Sequence, residues 1–266
     1  MLPLAGNDFP KSRDELQRAI DDGLKLYGAP KGVVGIEGSF PILDSLRIDL
    51  SGARIDTNTQ RPSRELREKQ PGVETGRLEV SATPFLLCDA PVQFRLTADA
   101  ARFDFARGAD GRPVLVLNAA RSGELDAQIR RADLQTLVRA LAHAAAAKHG
   151  ATIEDVDLSL TTLGPRALGF EAKITASMFM KTTVQVTGWL EIDDALNAHF
   201  SKLTCEAGGM VGSMAAGFIR PQLAKLQSQP IPLANLPLGG VKLRDVKIDA
   251  GEPLRVQAWF GADADS

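Results

Sequence analysis

Apolar positions recur along this chain with two different periods, and the alternation between them marks out its elements. Ser12 followed three residues later by Glu15 signals a helix start, and Leu16, Ala19, Ile20, Gly23, Leu24 and Tyr27 then share one face. A helix is expected over residues 12–28. From Gly32 the period falls to two: Leu46, Ile48 and Leu50 alternate with Arg47 and Asp49. The same alternation returns in Leu78, Val80 and Ala82, in Val92, Phe94 and Leu96, in Phe103 and Phe105, and in Leu125, Ala127 and Ile129. One-faced strands are therefore expected across 32–131, with Gly108 to Gly111 as a hairpin turn. Residues 58–72 are polar, hold two prolines and lack a period, which predicts an exposed loop.

The helical period resumes over 133–149, where Leu134, Leu137, Val138 and Leu141 form one stripe and Gly150 supplies a stop. Strands follow over 151–204, including a long alternating run of Leu168, Phe170, Ala172, Ile174, Ala176 and Met178. A third helix is expected over 208–227. Met210, Val211, Met214, Phe218, Leu223 and Leu226 make its stripe, Gly209, Gly212, Ala215, Ala216 and Gly217 keep the remainder narrow, and Pro221 is expected to kink it. A hairpin over 238–261 closes the chain, with an irregularity at Arg244 and Asp245 that reads as a bulge.

Many one-faced strands and only three helices to cover them point to an α+β fold in a single domain over 1–266. The expected architecture is a strongly curved antiparallel sheet wrapped around the long kinked third helix, with two further helices.

Composition narrows the function classes. The chain has 44% hydrophobic and 24% charged residues, as ordinary globular domains do. Its 31 basic and 33 acidic residues, with 5% aromatics, weigh against a nucleic-acid partner. No stretch reaches 18 consecutive apolar residues, and the start as written has no basic segment leading into a long apolar one. These features lead us to expect a cytoplasmic protein as written, or a periplasmic or membrane-associated one if a signal has been removed. Cys88 and Cys205 lie far apart and suit free thiols.

Catalytic patterns are not found. His143 and His149 are six apart, not the four that place two ligands on one helix face, and His199 stands alone. In GMVGSMAAG, Ser213 sits among glycines at the wrong offsets for a nucleophile elbow. No dinucleotide or phosphate-loop fingerprint occurs, and the pairs Asp21/Asp22 and Asp193/Asp194 read as a solvated helix face and a turn. A non-enzymatic protein with no cofactor and no metal is expected.

The segment LDSLRIDLSGARID, Leu43 to Asp56, resembles the tubular lipid-binding (TULIP) superfamily. So does the closing run from Gly208 through Phe260, in which a small-residue helix is followed by PIPLANLPLGGVKLRDVKI and the strand LRVQAWFG. That superfamily includes the bactericidal permeability-increasing proteins, synaptotagmin-like lipid-binding domains and small bacterial phospholipid-binding members. The resemblance implies an apolar tunnel that holds a phospholipid or another long-chain amphiphile and carries or presents it between membranes, with transient contact at the membrane surface. It supplies no catalytic residues. The lipid-lining positions nominated from periodicity are Leu16, Ile20, Leu24, Phe94, Leu96, Leu168, Phe170, Ile174, Met178, Met210, Met214, Phe218 and Leu223. A homodimer is compatible with the sequence. The alternative is a non-enzymatic interaction or scaffold module with a solid core.

Overall fold

The computed structural model describes residues 1–26, 28–56, 65–147, 150–177, 181–233 and 240–262; within the third helix the side chains of 209–215, 218 and 222 lie outside that description. The chain opens with a short strand β1 (Leu2–Pro3) and helix α1 (Arg13–Lys25). Ser12 caps this helix by accepting the Glu15 amide at 3.3 Å, while the Glu15 carboxylate accepts the Lys11 amide at 2.8 Å. Leu16, Ile20, Gly23 and Leu24 form its buried face.

Strands β2 (Val34–Ser39), β3 (Ile42–Asp49) and β4 (Arg54–Ile55) lead into two long strands, β5 (Leu66–Leu87) and β6 (Ala90–Gly108), followed by β7 (Pro113–Ala119) and β8 (Ser122–Ile129). After helix α2 (Arg131–Ala147) come β9 (Thr152–Gly164), β10 (Ala167–Ser177), β11 (Lys181–Ile192) and β12 (Asn197–Ala207). Helix α3 (Gly209–Ser228), a short β13 (Ile231–Pro232) and the hairpin β14 (Leu243–Asp249) and β15 (Leu254–Phe260) complete the order.

These strands form two sheets. The larger has ten strands, with the path β14-β15-β8-β6-β5-β3-β2 and with β1, β4 and β7 attached beside it; the smaller has five, in the order β13-β12-β11-β10-β9. The C-terminal hairpin thus belongs to the N-terminal sheet, because β15 pairs with β8 from Leu254 opposite Ile129 to Phe260 opposite Gly123. The irregularity expected at Arg244 is present: the register steps from Leu243 opposite Phe260 to Asp245 opposite Trp259.

The expected fold class is corrected on three counts. The protein is mostly β rather than α+β. The larger sheet is mixed, since β3 and β4 both run parallel to β5, β3 opposite Glu74 to Ser81 and β4 opposite Leu86 and Leu87. The strands do not wrap around a long kinked helix. Instead α3, which continues through Pro221 to Ser228, packs on β12 and β11 at one side of the smaller sheet. A second difference concerns the loop expected over 58–72. Residues 57–64 lie outside the described residues, but Leu66–Gly72 is strand, because β6 runs on to Gly108 and supplies a partner. Register shifts at Arg67/Gln70 and Pro71/Glu74 erase the alternation that would have revealed it.

The core is divided in the same way as the sheets. One cluster joins Leu16, Ile20 and Leu24 of α1 to Leu43, Leu46, Ile48, Leu78 and Phe103 of the larger sheet. Another lies between the sheets, where Leu168, Ile192 and Ala198 meet Val246, Ile248 and Ala258. Cys88 and Cys205 are buried free thiols.

Candidate functional site

Alternation along the strands of the larger sheet puts one apolar row across all seven strands of its path. Val34, Ile48, Val80, Leu96, Leu125, Ala258 and Val246 stand opposite one another in turn, from β2 to β14. The ends of this row are buried, with Val34 and Ile48 at 5% and 1% exposure and Ala258 and Val246 at 8% and 5%. The three central residues, Val80, Leu96 and Leu125, are only half-buried. The next row repeats the pattern: Ala82 and Ile248 are buried at its ends, while Phe94, Ala127 and Val256 between them are half-buried.

The cause lies in the covers. At one end α1 closes the face, and Val80 and Leu96 only touch the edge of its cluster. At the other end the smaller sheet closes it, and Leu125, Leu254 and Val256 lie at the margin of that contact, with Leu160, Phe170 and Leu190 reaching toward them from the smaller sheet. The strip of β6, β8 and β15 between the two covers is left partly open. Phe94 is held there edge-on against Phe85, with ring centroids 6.0 Å apart and an 88° interplanar angle.

Helix α2 flanks this strip, packing on β9 and reaching β6. None of its described residues is buried: Leu134, Leu137 and Val138 are half-buried and Leu141 is 50% exposed. Its N-terminus is tied down by the Glu252 carboxylate, which accepts the Arg131 amide at 3.1 Å, and Gln135 donates to Asp157 of β9 at 3.2 Å. The strip and the helix stripe beside it are thus both apolar and both only partly covered.

The nominated residues fall into separate places. Leu16, Ile20 and Leu24 are packed into the α1 core. Phe94 and Leu96 lie in the open strip. Leu168 sits in the cluster between the sheets, and Phe170 bridges that cluster and the one beneath α3, stacked edge-on to Phe200. Leu223 packs with Val184, Val186, Cys205 and Ala216 under α3. Ile174 is half-buried on β10, opposite Val184 and Val156. Met178 lies outside the described residues, as do the side chains of Met210, Met214 and Phe218. Phe94 and Leu96 are thus the nominated pair that the strip brings together. Leu125, Ala127 and Val256 were not nominated, although the same alternation marks them.

Electrostatics separates the two faces of the sheet. Behind the apolar rows, Arg255 and Asp126 form an ion pair that holds the Asp126 carboxyl below the usual carboxylate range, and Arg95 pairs with Glu79 at 2.7 Å. A cleft of about 970 Å³ lies where β6 leaves β8 for β7, lined by Ile42, Arg102, Arg121 and Arg244 but also by Asp44 and Glu74. Glu74 stands directly opposite Arg102, so the cleft has no single sign of charge. Among the described residues no helix is long and apolar enough to cross a membrane.

No family model matches this chain, and neither a curated protein nor a solved structure is found to be similar to it.

Proposed function

We propose that the protein binds a phospholipid or another long-chain amphiphile along the half-covered strip of β6, β8 and β15, and carries or presents it between membranes. The observation that carries this reading is the burial profile of the cross-strand row. Its apolar residues continue without interruption from Val34 to Val246, yet protein atoms bury the two ends and cover the centre only in part. Leu96, Leu125, Phe94 and Val256 therefore keep apolar surface in contact with water, a cost that an acyl chain would remove. Each methylene transferred from water contributes about 0.8 kcal/mol before ordering costs.

The resemblance to the tubular lipid-binding superfamily belongs to this proposal and supports the same ligand class. The ligand would lie in an open groove between an α1-covered core and the smaller sheet. Organic extraction of the purified protein, with identification of what is released, tests the reading. A long-chain lipid at near-stoichiometric amount supports it. Absence of lipid together with absence of saturable uptake of a fluorescent fatty acid overturns it and favours an interaction module.

A further inference from the structure

Beside the apolar cluster that the two sheets share, polar contacts also fasten them to each other. Hydrogen bonds join the end of the β9–β10 hairpin to the free edge of β14. The Ile248 amide donates to the Pro165 carbonyl at 2.8 Å, and the Ala250 amide donates to the Thr162 hydroxyl at 3.2 Å. Arg166 donates through Nε and Nη2 to Asp245 Oδ1 at 3.0 and 2.6 Å, and through Nη1 to Asp194 at 2.9 Å. The same Asp245 oxygen accepts the Val246 amide at 2.7 Å. The outward amides of the β14 edge are thus satisfied by a turn and side chains rather than by another strand.

This clasp lies over the closed end of the apolar rows. Val246 and Ile248, the residues that end the two rows, are on β14 itself, and sheet-to-sheet packing covers them. The open strip stops where the clasp begins. Releasing it frees the edge at which the sheets can part, and parting the apolar packing there would uncover the last residues of both rows and lengthen the strip by at least one strand, about 5 Å. The clasp is also built to release: its contacts are few, half-exposed and polar, with the Arg166 and Asp245 side chains 31% and 36% exposed.

We propose that the Thr162–Arg166 clasp is a gate, that Arg166 holds it closed, and that its opening admits a long-chain amphiphile between the sheets. The proposal rests on the lipid-binding reading above. Arg166 acts on entry as a positioning residue rather than by touching ligand. If the gate closes again over the ligand, loosening it raises entry and exit together and leaves the affinity nearly unchanged.

The test uses the full chain with Arg166→Ala, Arg166→Lys and Thr162→Val, stopped-flow uptake and release of a fluorescent sixteen-carbon fatty acid, and hydrogen exchange at the Ile248 and Ala250 amides. Arg166→Ala is expected to speed exchange at both amides and to raise the on-rate and off-rate by about tenfold each, with Kd changed by less than about threefold. Arg166→Lys keeps the charge without the fork and is expected to fall between the two. Thr162→Val removes only the acceptor for Ala250 and answers the same question should Arg166→Ala fail to fold. Faster amide exchange with an unchanged on-rate overturns the gate and leaves a structural clasp. Unchanged exchange overturns the clasp itself. No uptake by the wild-type chain overturns the lipid reading and the gate with it, and the exchange data still report whether the clasp opens.

Discussion

Leu96 on β6 stands directly opposite Leu125 on β8, and both are half-buried at the centre of a row whose two ends are closed. A cross-strand leucine pair in a sheet is ordinarily covered on its apolar face by a helix or a second sheet. Here α1 stops short of it on one side and the smaller sheet on the other.

Replacing either leucine by glutamine separates binding from stability. Because both side chains are half-exposed, Leu96→Gln and Leu125→Gln are expected to shift the thermal midpoint by only a few degrees. Each is expected to weaken fatty-acid binding by about tenfold or more, as a polar amide in the strip stays hydrated and leaves the chain poorly seated. Fluorescence titration beside a melting curve checks both halves; equal losses in the two would show that the pair belongs to the core.

Ile20 tests the opposite case. It is fully buried under α1, so Ile20→Ala is expected to cost about 2–5 kcal/mol of unfolding free energy, read from urea denaturation. Ligand affinity of the folded fraction is expected to stay within about threefold of the wild type, because the residue lies inside the solid α1 core rather than in the strip.

What the sequence made legible, and what it did not, follows from the range of the interactions. Helix α1 was legible because its cap and its stripe are local: Ser12, Glu15, Leu16 and Ile20 lie within three turns. The bulge beside Arg244 was legible for the same reason. The partition into two sheets was not, because the pairing of Leu254 with Ile129 joins residues far apart in the chain and leaves no mark in either strand's own pattern. The choice of α3 as the element being wrapped went wrong similarly: a narrow apolar helix suits packing on one face of β11 and β12 as well as enclosure. The site was half legible. Alternation found Phe94 and Leu96, but which apolar rows stay uncovered depends on where α1 and the smaller sheet end.

Gly23 offers a test of close approach. In an exposed helix, glycine to alanine stabilises by about 1 kcal/mol. At Gly23, however, a Cβ would run into the backbone carbonyl of Pro3, and that segment is pinned by the Leu4 amide on the Pro113 carbonyl at 3.0 Å and the Ala5 amide on the Ala19 carbonyl at 2.8 Å. Gly23→Ala is therefore expected to lower the urea midpoint. An increase would show that β1 is not seated against α1.

Asp193 gives a pH signature. The Asn197 amide, then His199 and the Asn197 side chain, hold its carboxyl down from the usual 3.8 to about 2. A group whose folded value is depressed stabilises above its unfolded value and loses that contribution as pH falls through the folded one. The stability difference between wild type and Asp193→Asn is thus expected to be present at pH 5, to shrink below about 4 and to be largely lost by about 2, in urea melts across that range. A difference that stays undiminished down to pH 2 would assign the effect of the substitution to packing of the turn.

The most direct measurement is photocrosslinking with a fatty acid that carries a diazirine near its methyl end, followed by peptide mapping. Labelling is predicted on β6, β8 and β15, at peptides containing Phe94, Leu96, Leu125 and Val256, and is predicted to be competed by unlabelled fatty acid. Labelling confined to other elements, or labelling that excess fatty acid does not reduce, would contradict a binding groove between α1 and the smaller sheet.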